Sequence, residues 1–382
     1  MKKPLILLIL VSCVSFGFML SELSDPDYPT VIGALPEKGP VKPEDSLKVS
    51  LGRLLFWDPV LSGTKKVACA SCHTPEHGYT DNLDLSIGVN GKGTGYNRVV
   101  EPGAEAHFAK RNSQTILNVI FNGMDSVGNY NPAKAPMFWD NRVSSLEVQA
   151  IFPITNHDEM LGSAYDASVA LDTVVNRLNK IKEYVTLFEK AFNQKNAITV
   201  ENLTKAIATF EGSLLANNSP FDKYMRGDQL AMTEKQIFGM KMFIINGCTN
   251  CHKGPMLSDY KLHVLSAPDN RKLKNPEGDV GANNAYAFRT PSLRNLNYTW
   301  PYFHSGTANY LDDAVRFYNT VAYGRSGNPH VQHEQIALDA RHTKNSNVPE
   351  ITAFLDALSD PNYDKKVPAR VPSKLPVGGN MN

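Results

Sequence analysis

The stretch VACASCHTPEHGYTDNLDLSIGVNG, residues 67–91, opens with Cys69-Ala-Ser-Cys72-His73. C-x-x-C-H is the pattern that tethers a c-type haem through two thioethers and offers the histidine to the iron. It returns as Cys248-Thr-Asn-Cys251-His252. Two other uses of these four cysteines stand against it. Disulfides suit an exported chain, but they give no reason for a histidine directly after each pair. A zinc site of four thiolates needs neither histidine and rarely separates its pairs by so much chain. The motifs predict two covalently bound haem c groups, one on Cys69, Cys72 and His73, the other on Cys248, Cys251 and His252.

Around the motifs lie 382 residues, 42% of them hydrophobic, with 39 Lys+Arg against 38 Asp+Glu. That length and apolar content suit about two domains. A net charge of +1 argues against nucleic-acid binding, which leaves a basic excess. MKKPLILLILVSCVSFGFML (1–20) sets two lysines before an apolar run, the shape of an export signal, and is set apart from the fold. Leu10-Val11-Ser12-Cys13 resembles a lipobox that would lipidate Cys13, Ser15-Phe16-Gly17 offers an ordinary cleavage site, and a retained anchor is the third outcome. No second apolar stretch is long enough to span a bilayer. Membrane attachment is therefore expected only through the N-terminus, and the location is expected to be periplasmic.

The rest reads as mostly helical. SLKVSLGRLLFWDP puts Leu47, Leu51, Leu54 and Leu55 on one helical face and stops at Pro59. Residues 165–192 and 200–216 are long amphipathic segments, the second carrying Leu203, Ile207, Phe210 and Leu214. A Thr233-x-x-Gln236 capping box starts a helix whose pattern ends at Gly247, so the second haem motif follows a helix directly. Strand patterns are scarce. The polar, turn-rich segment 217–233 marks a boundary, dividing the mature chain into a haem domain over 21–225 and a second over 226–382. The tail after Asp360 is expected to be extended.

Several blocks carry a resemblance: LGRLLFWDPVLSG, RNSQTILNVIFN, MFWDNR, FPITNHDEM, IATFEGSLLANNSPFDKYMRGD, RTPSLRN, PYFHSG and LDDAVRFYN. With the two haem motifs they stand in the order found in bacterial di-haem cytochrome c peroxidases, and the likeness spans roughly residues 45 to 358. It implies a mostly α fold of two c-type cytochrome-like haem domains packed around an inter-haem interface. Two positions look more like the MauG branch of that family.

The first concerns the far face of the first iron. The family's usual sixth ligand is a histidine sixteen residues after the haem histidine; here that position is Val89, which cannot ligate. His77 is too close to His73 to reach the opposite face, and His107 is the remaining local alternative. The first haem is thus expected to be open to peroxide. The second position is the family's usual methionine, seventeen residues after Pro301, which here is Tyr318. No methionine lies between Met256 and Met381. A helix would put Leu311, Val315 and Tyr318 on one stripe, and Tyr318 is either the iron ligand of MauG-type proteins or a core residue. His330 and His333 are alternatives, and His304 is expected to serve a haem propionate.

By the same resemblance Gln149, Pro153 and Glu159 form the distal pocket, with Glu159 as general acid/base. Trp139 matches a tryptophan between the haems, and Asn112, Thr299 and Pro301 match a calcium site. The implied activity is peroxide-dependent oxidation of a protein partner through a high-valent two-haem state, with tryptophan modification as one outcome. The alternative is a cytochrome c peroxidase that removes hydrogen peroxide with electrons from small cytochromes or cupredoxins. A closed electron carrier is the third reading, and Val89 argues against it.

Overall fold

The computed structural model describes residues 31–334 and 347–381. The export segment 1–20 lies outside them. Ten α-helices are used here: α1 (Ser46–Trp57), α2 (Leu146–Gln149), α3 (Ile151–Thr155), α4 (Ala170–Asn179), α5 (Lys182–Phe192), α6 (Val200–Gly212), α7 (Pro220–Met225), α8 (Glu234–Ile245), α9 (Leu311–Ala322) and α10 (Val348–Asp356). Strand structure among the described residues is confined to three antiparallel pairs of two-residue strands. Long connections, rich in short 3₁₀ turns, carry both cysteine motifs.

Each half is organised by one helix crossing at a glycine. On α1, a Cβ at Gly52 would lie 2.0 Å from the Ala206 carbonyl oxygen of α6. On α8, a Cβ at Gly239 would lie 1.9 Å from the Glu350 carbonyl oxygen of α10. The absent side chains let the backbones approach, and the flanking residues become the core. Leu51, Leu55, Phe56, Leu203, Ile207 and Phe210 are buried around the first crossing, and Met240, Phe243, Ile351 and Phe354 around the second. Leu214 is buried as expected, just past the end of α6.

Two expectations need correcting. Leu47 is 54% exposed, because the close approach at Gly52 turns the buried face of α1 toward Leu51, Leu55 and Phe56. Residues 165–192 are two helices, α4 and α5, with the break at Lys180 and Ile181. The capping box is as read: the Gln236 amide donates to Thr233 Oγ1, and Gln236 accepts from the Thr233 amide at 2.9 Å.

The two ends of the described residues cross between the halves. Ile32 packs in the second core, Gly254 N donates to the Val31 carbonyl, and Leu35 N donates to Asp222, which is ion-paired with buried Arg294 at 2.9 Å. The tail after Asp360 lacks helix but is firmly docked on the first half. Tyr363 and Val371 enter the core with Phe56 and Trp57, Gly378 N donates to the Trp57 carbonyl, and Ser71 Oγ donates to the Gly378 carbonyl at 2.9 Å.

Candidate functional site

Both cysteine motifs open onto one internal cavity of about 630 Å³. In each, the residues after the second cysteine turn back so that a carbonyl meets the histidine. His73 Nδ1 lies 2.9 Å from the Tyr79 carbonyl oxygen, and His252 Nδ1 lies 2.9 Å from that of Leu257. Tyr79 and Leu257 both have left-handed backbones, with φ of 58° and 49°, which aim those carbonyls inward. The bond fixes the proton on Nδ1 and leaves Nε2 as the ligating atom. Burial lowers the pKa of both histidines, so they are neutral donors. These two acceptors have no sequence signature, because they depend on a backbone turn.

The donor set fits haem c. None of the four motif cysteines is in a disulfide, and the two pairs share no cluster among the described residues, Cys251 alone lying with Asp259 and His263. Buried polar atoms without partners also face this region. His304 is 4% exposed, its Nε2 is unpaired, and burial pushes its pKa down to about 3. Its ring stacks on Phe288 at 3.6 Å. Arg289 Nε is likewise unpaired. Both line the cavity and are suited to propionate groups.

Gln149, Pro153 and Glu159 line the same cavity as Cys69 and Cys72. Glu159 sits in the turn His157–Leu161, whose start is capped by Asn156. Asn156 Nδ2 donates to Glu159 Oε1 at 2.8 Å. Burial raises the Glu159 pKa, opposed by Arg142 and by the Asn156 bond. A carboxyl held in this way changes protonation closer to neutrality than an exposed one.

Val89 is 5% exposed, packs in the first core and is not among the cavity walls. Neither His77 nor His107 lines the cavity; His107 is turned instead toward Asp158 and Glu105. In the second half Leu311, Val315 and Tyr318 of α9 all line it, as a single helical stripe. Burial raises the Tyr318 pKa. Met256 reaches a wall but is buried beside Phe121 and Met124, and Met381 packs in the first core. His330 and His333 do not line the cavity.

Trp139 joins the halves. Its indole Nε1 donates to the Asn112 carbonyl at 2.9 Å, its own carbonyl accepts from Arg289 N, and its ring meets His304 edge-on. Asn112, Thr299 and Pro301 are also cavity walls. The Asn112 amide nitrogen donates to the Leu83 carbonyl, so its Oδ1 is the atom left for a cation. Arg111 bridges Asp140 and Asp279 across the same interface.

Two wall residues were missed from sequence. Glu211 of α6 is buried with Oε2 unpaired, and burial pushes its pKa up to about 8. His263 is flanked by Asp259 and Glu334, and the Asp259 contact leads in pushing its pKa up to about 11. Glu211 has no partner to betray it, and although Asp259 is four residues from His263, Glu334 comes from 71 positions away.

Residues 46–230 match the family model described as di-haem cytochrome c peroxidase. The cytochrome c551 peroxidase of Nitrosomonas europaea is 31% identical over 87% of this chain and 86% of its own length. That of Pseudomonas aeruginosa is 33% identical over 81% and 78%. The methylamine utilization protein MauG of Methylorubrum extorquens is 32% identical over 74% and 70%. Among solved structures, the di-haem peroxidase BthA of Burkholderia thailandensis shares the fold with a TM-score of 0.64 at 20% identity, covering 86% of this chain and 95% of that one. The chain belongs to the di-haem cytochrome c peroxidase family, which includes the MauG proteins. It is an oxidoreductase, with two haem c groups as the cofactors its family and its two motifs imply.

Proposed function

We propose that this is a peroxide-dependent enzyme of the MauG type, which takes hydrogen peroxide at the first motif and oxidises a protein partner away from it. Modification of tryptophan side chains in that partner is one outcome of this chemistry. The observation that carries the reading is the composition of one cavity. Glu159 and Gln149 line it beside the first motif, Tyr318 lines it in the second half, and Val89 is buried elsewhere. Bound haem would supply the redox chemistry that accepts two oxidising equivalents from peroxide.

The protein's own part is proton handling and exclusion of water. Glu159 would accept a proton from one peroxide oxygen and deliver it to the other, so that the second could leave as water. Asn156 holds the carboxyl in place, Gln149 orients the peroxide, and Pro153 closes the wall. Tyr318 would ligate the second iron, and its anionic oxygen would favour the ferric and higher states. Trp139 offers an aromatic step between the halves, and calcium at Asn112, Thr299 and Pro301 would tie that interface together. We take 21–225 and 226–382 as the two haem domains, and the protein as exported to the periplasm, with Cys13 as a lipid anchor if the lipobox is used. No helix among the described residues is long and apolar enough to cross a membrane.

The test is peroxide consumption by fully ferric holoprotein with no reductant added. Rapid consumption in the first turnover is expected. Consumption only after prior reduction would favour the cytochrome-fed peroxidase instead.

A further inference from the structure

Beside the Glu159 turn, on the outer side of the cavity wall, two imidazoles converge on one carboxylate oxygen. Asp158 Oδ1 lies 3.2 Å from His107 Nδ1 and 3.1 Å from His157 Nδ1. One ligand atom from each of the three residues falls within 4.8 Å of the others. Of the far nitrogens, His157 Nε2 is hydrogen-bonded at 3.2 Å to Ser163 Oγ, and His107 Nε2 lies 3.5 Å from the exposed Glu105 carboxylate. The backbone is braced on both sides. Phe108 bridges to Ile87 and Ala109 N donates to the Ser86 carbonyl, while Asp158 N donates to Asn156 Oδ1.

We propose that His107, His157 and Asp158 form a binding site for a divalent first-row transition-metal ion, separate from both haem positions and from the calcium position. Without a cation, the His157 ring bonds this oxygen through Nδ1 and the His107 Nδ1 is drawn up beside the same atom. An ion placed among them is met by two nitrogens and one oxygen, a set suited to zinc and its neighbours rather than to calcium. Ligand bonds of about 2.0–2.2 Å bring donors to separations near those already present. Ser163 supplies the outer contact that orients the His157 ring. The side chains of His157 and Asp158 are 49% and 46% exposed, so the ion has a path from solvent and room for water as a further ligand. Because Asp158 is also a cavity wall and adjoins Glu159, the ion would fasten the His107 loop to the turn that carries the distal carboxyl.

The experiment uses untagged holoprotein equilibrated with zinc ions in excess calcium, followed by dialysis and elemental analysis. One zinc per two irons is expected. The His107→Ala/His157→Ala double variant, with haem content unchanged, should retain none, and Ser163→Ala should bind about tenfold more weakly. Zinc retained equally by the double variant, or not retained by the parent protein, overturns the proposal.

Discussion

In the proposed mechanism peroxide chemistry turns on Glu159, whose surroundings set its pH behaviour. Burial raises its pKa above the ordinary 4.5, with Arg142 and Asn156 pulling the other way. As a base it must be ionised, so peroxide activation should rise with pH through that raised value and flatten above it. Glu159→Gln keeps the shape and removes the titrating group. It should slow first-turnover peroxide consumption by about 10²- to 10⁴-fold and abolish the acidic limb, with haem content unchanged. Stopped-flow measurements across pH check both; parent-like kinetics would remove Glu159 from the mechanism. At this scale Gln149, Glu159 and Tyr318 were named from sequence and line one cavity, while the wall residues Glu211 and His263 were not legible there. The acceptors Tyr79 and Leu257 were not legible either, because a carbonyl's direction comes from the backbone dihedrals and not from side-chain type.

Helices show where periodicity succeeds and where it stops. The α6 stripe and the Thr233 capping box depend on contacts within a few residues, and both appear as the pattern predicts. The face of α1 depends on a partner about 150 residues away, so Leu47 looked like core and is exposed. Gly52 settles that crossing and yields a prediction. In an open helix, Gly→Ala stabilises by up to about 1 kcal/mol. Here the new methyl would sit 2.0 Å from the Ala206 carbonyl oxygen. Overcrowding prevails, and Gly52→Ala should destabilise the holoprotein by about 1–3 kcal/mol, seen as a lowered Tm. An unchanged or raised Tm would show that α1 and α6 separate without cost.

Across the whole molecule, the halves are joined by crossed chain ends and by the interface that holds Trp139. The docking of residues 363–381 onto the first core pairs segments some 300 positions apart, which no local pattern reveals. Trp139→Phe tests the interface. It removes the indole bond to the Asn112 carbonyl, a loss of about 0.5–1.5 kcal/mol. First-turnover peroxide consumption should persist while oxidation of the protein partner falls. A Phe variant that oxidises its partner at the parent rate would make Trp139 a packing residue.

The central proposal is that the two haems differ: the first would be open because Val89, which has no donor atom, packs in the core away from the cavity, and the second would be closed by Tyr318, which lines it. Electron paramagnetic resonance of the resting ferric holoprotein tests it most directly. The account predicts one high-spin and one low-spin centre per chain, with the low-spin signal shifted in Tyr318→Met. Two low-spin centres at rest, or a low-spin signal indifferent to that substitution, would contradict it.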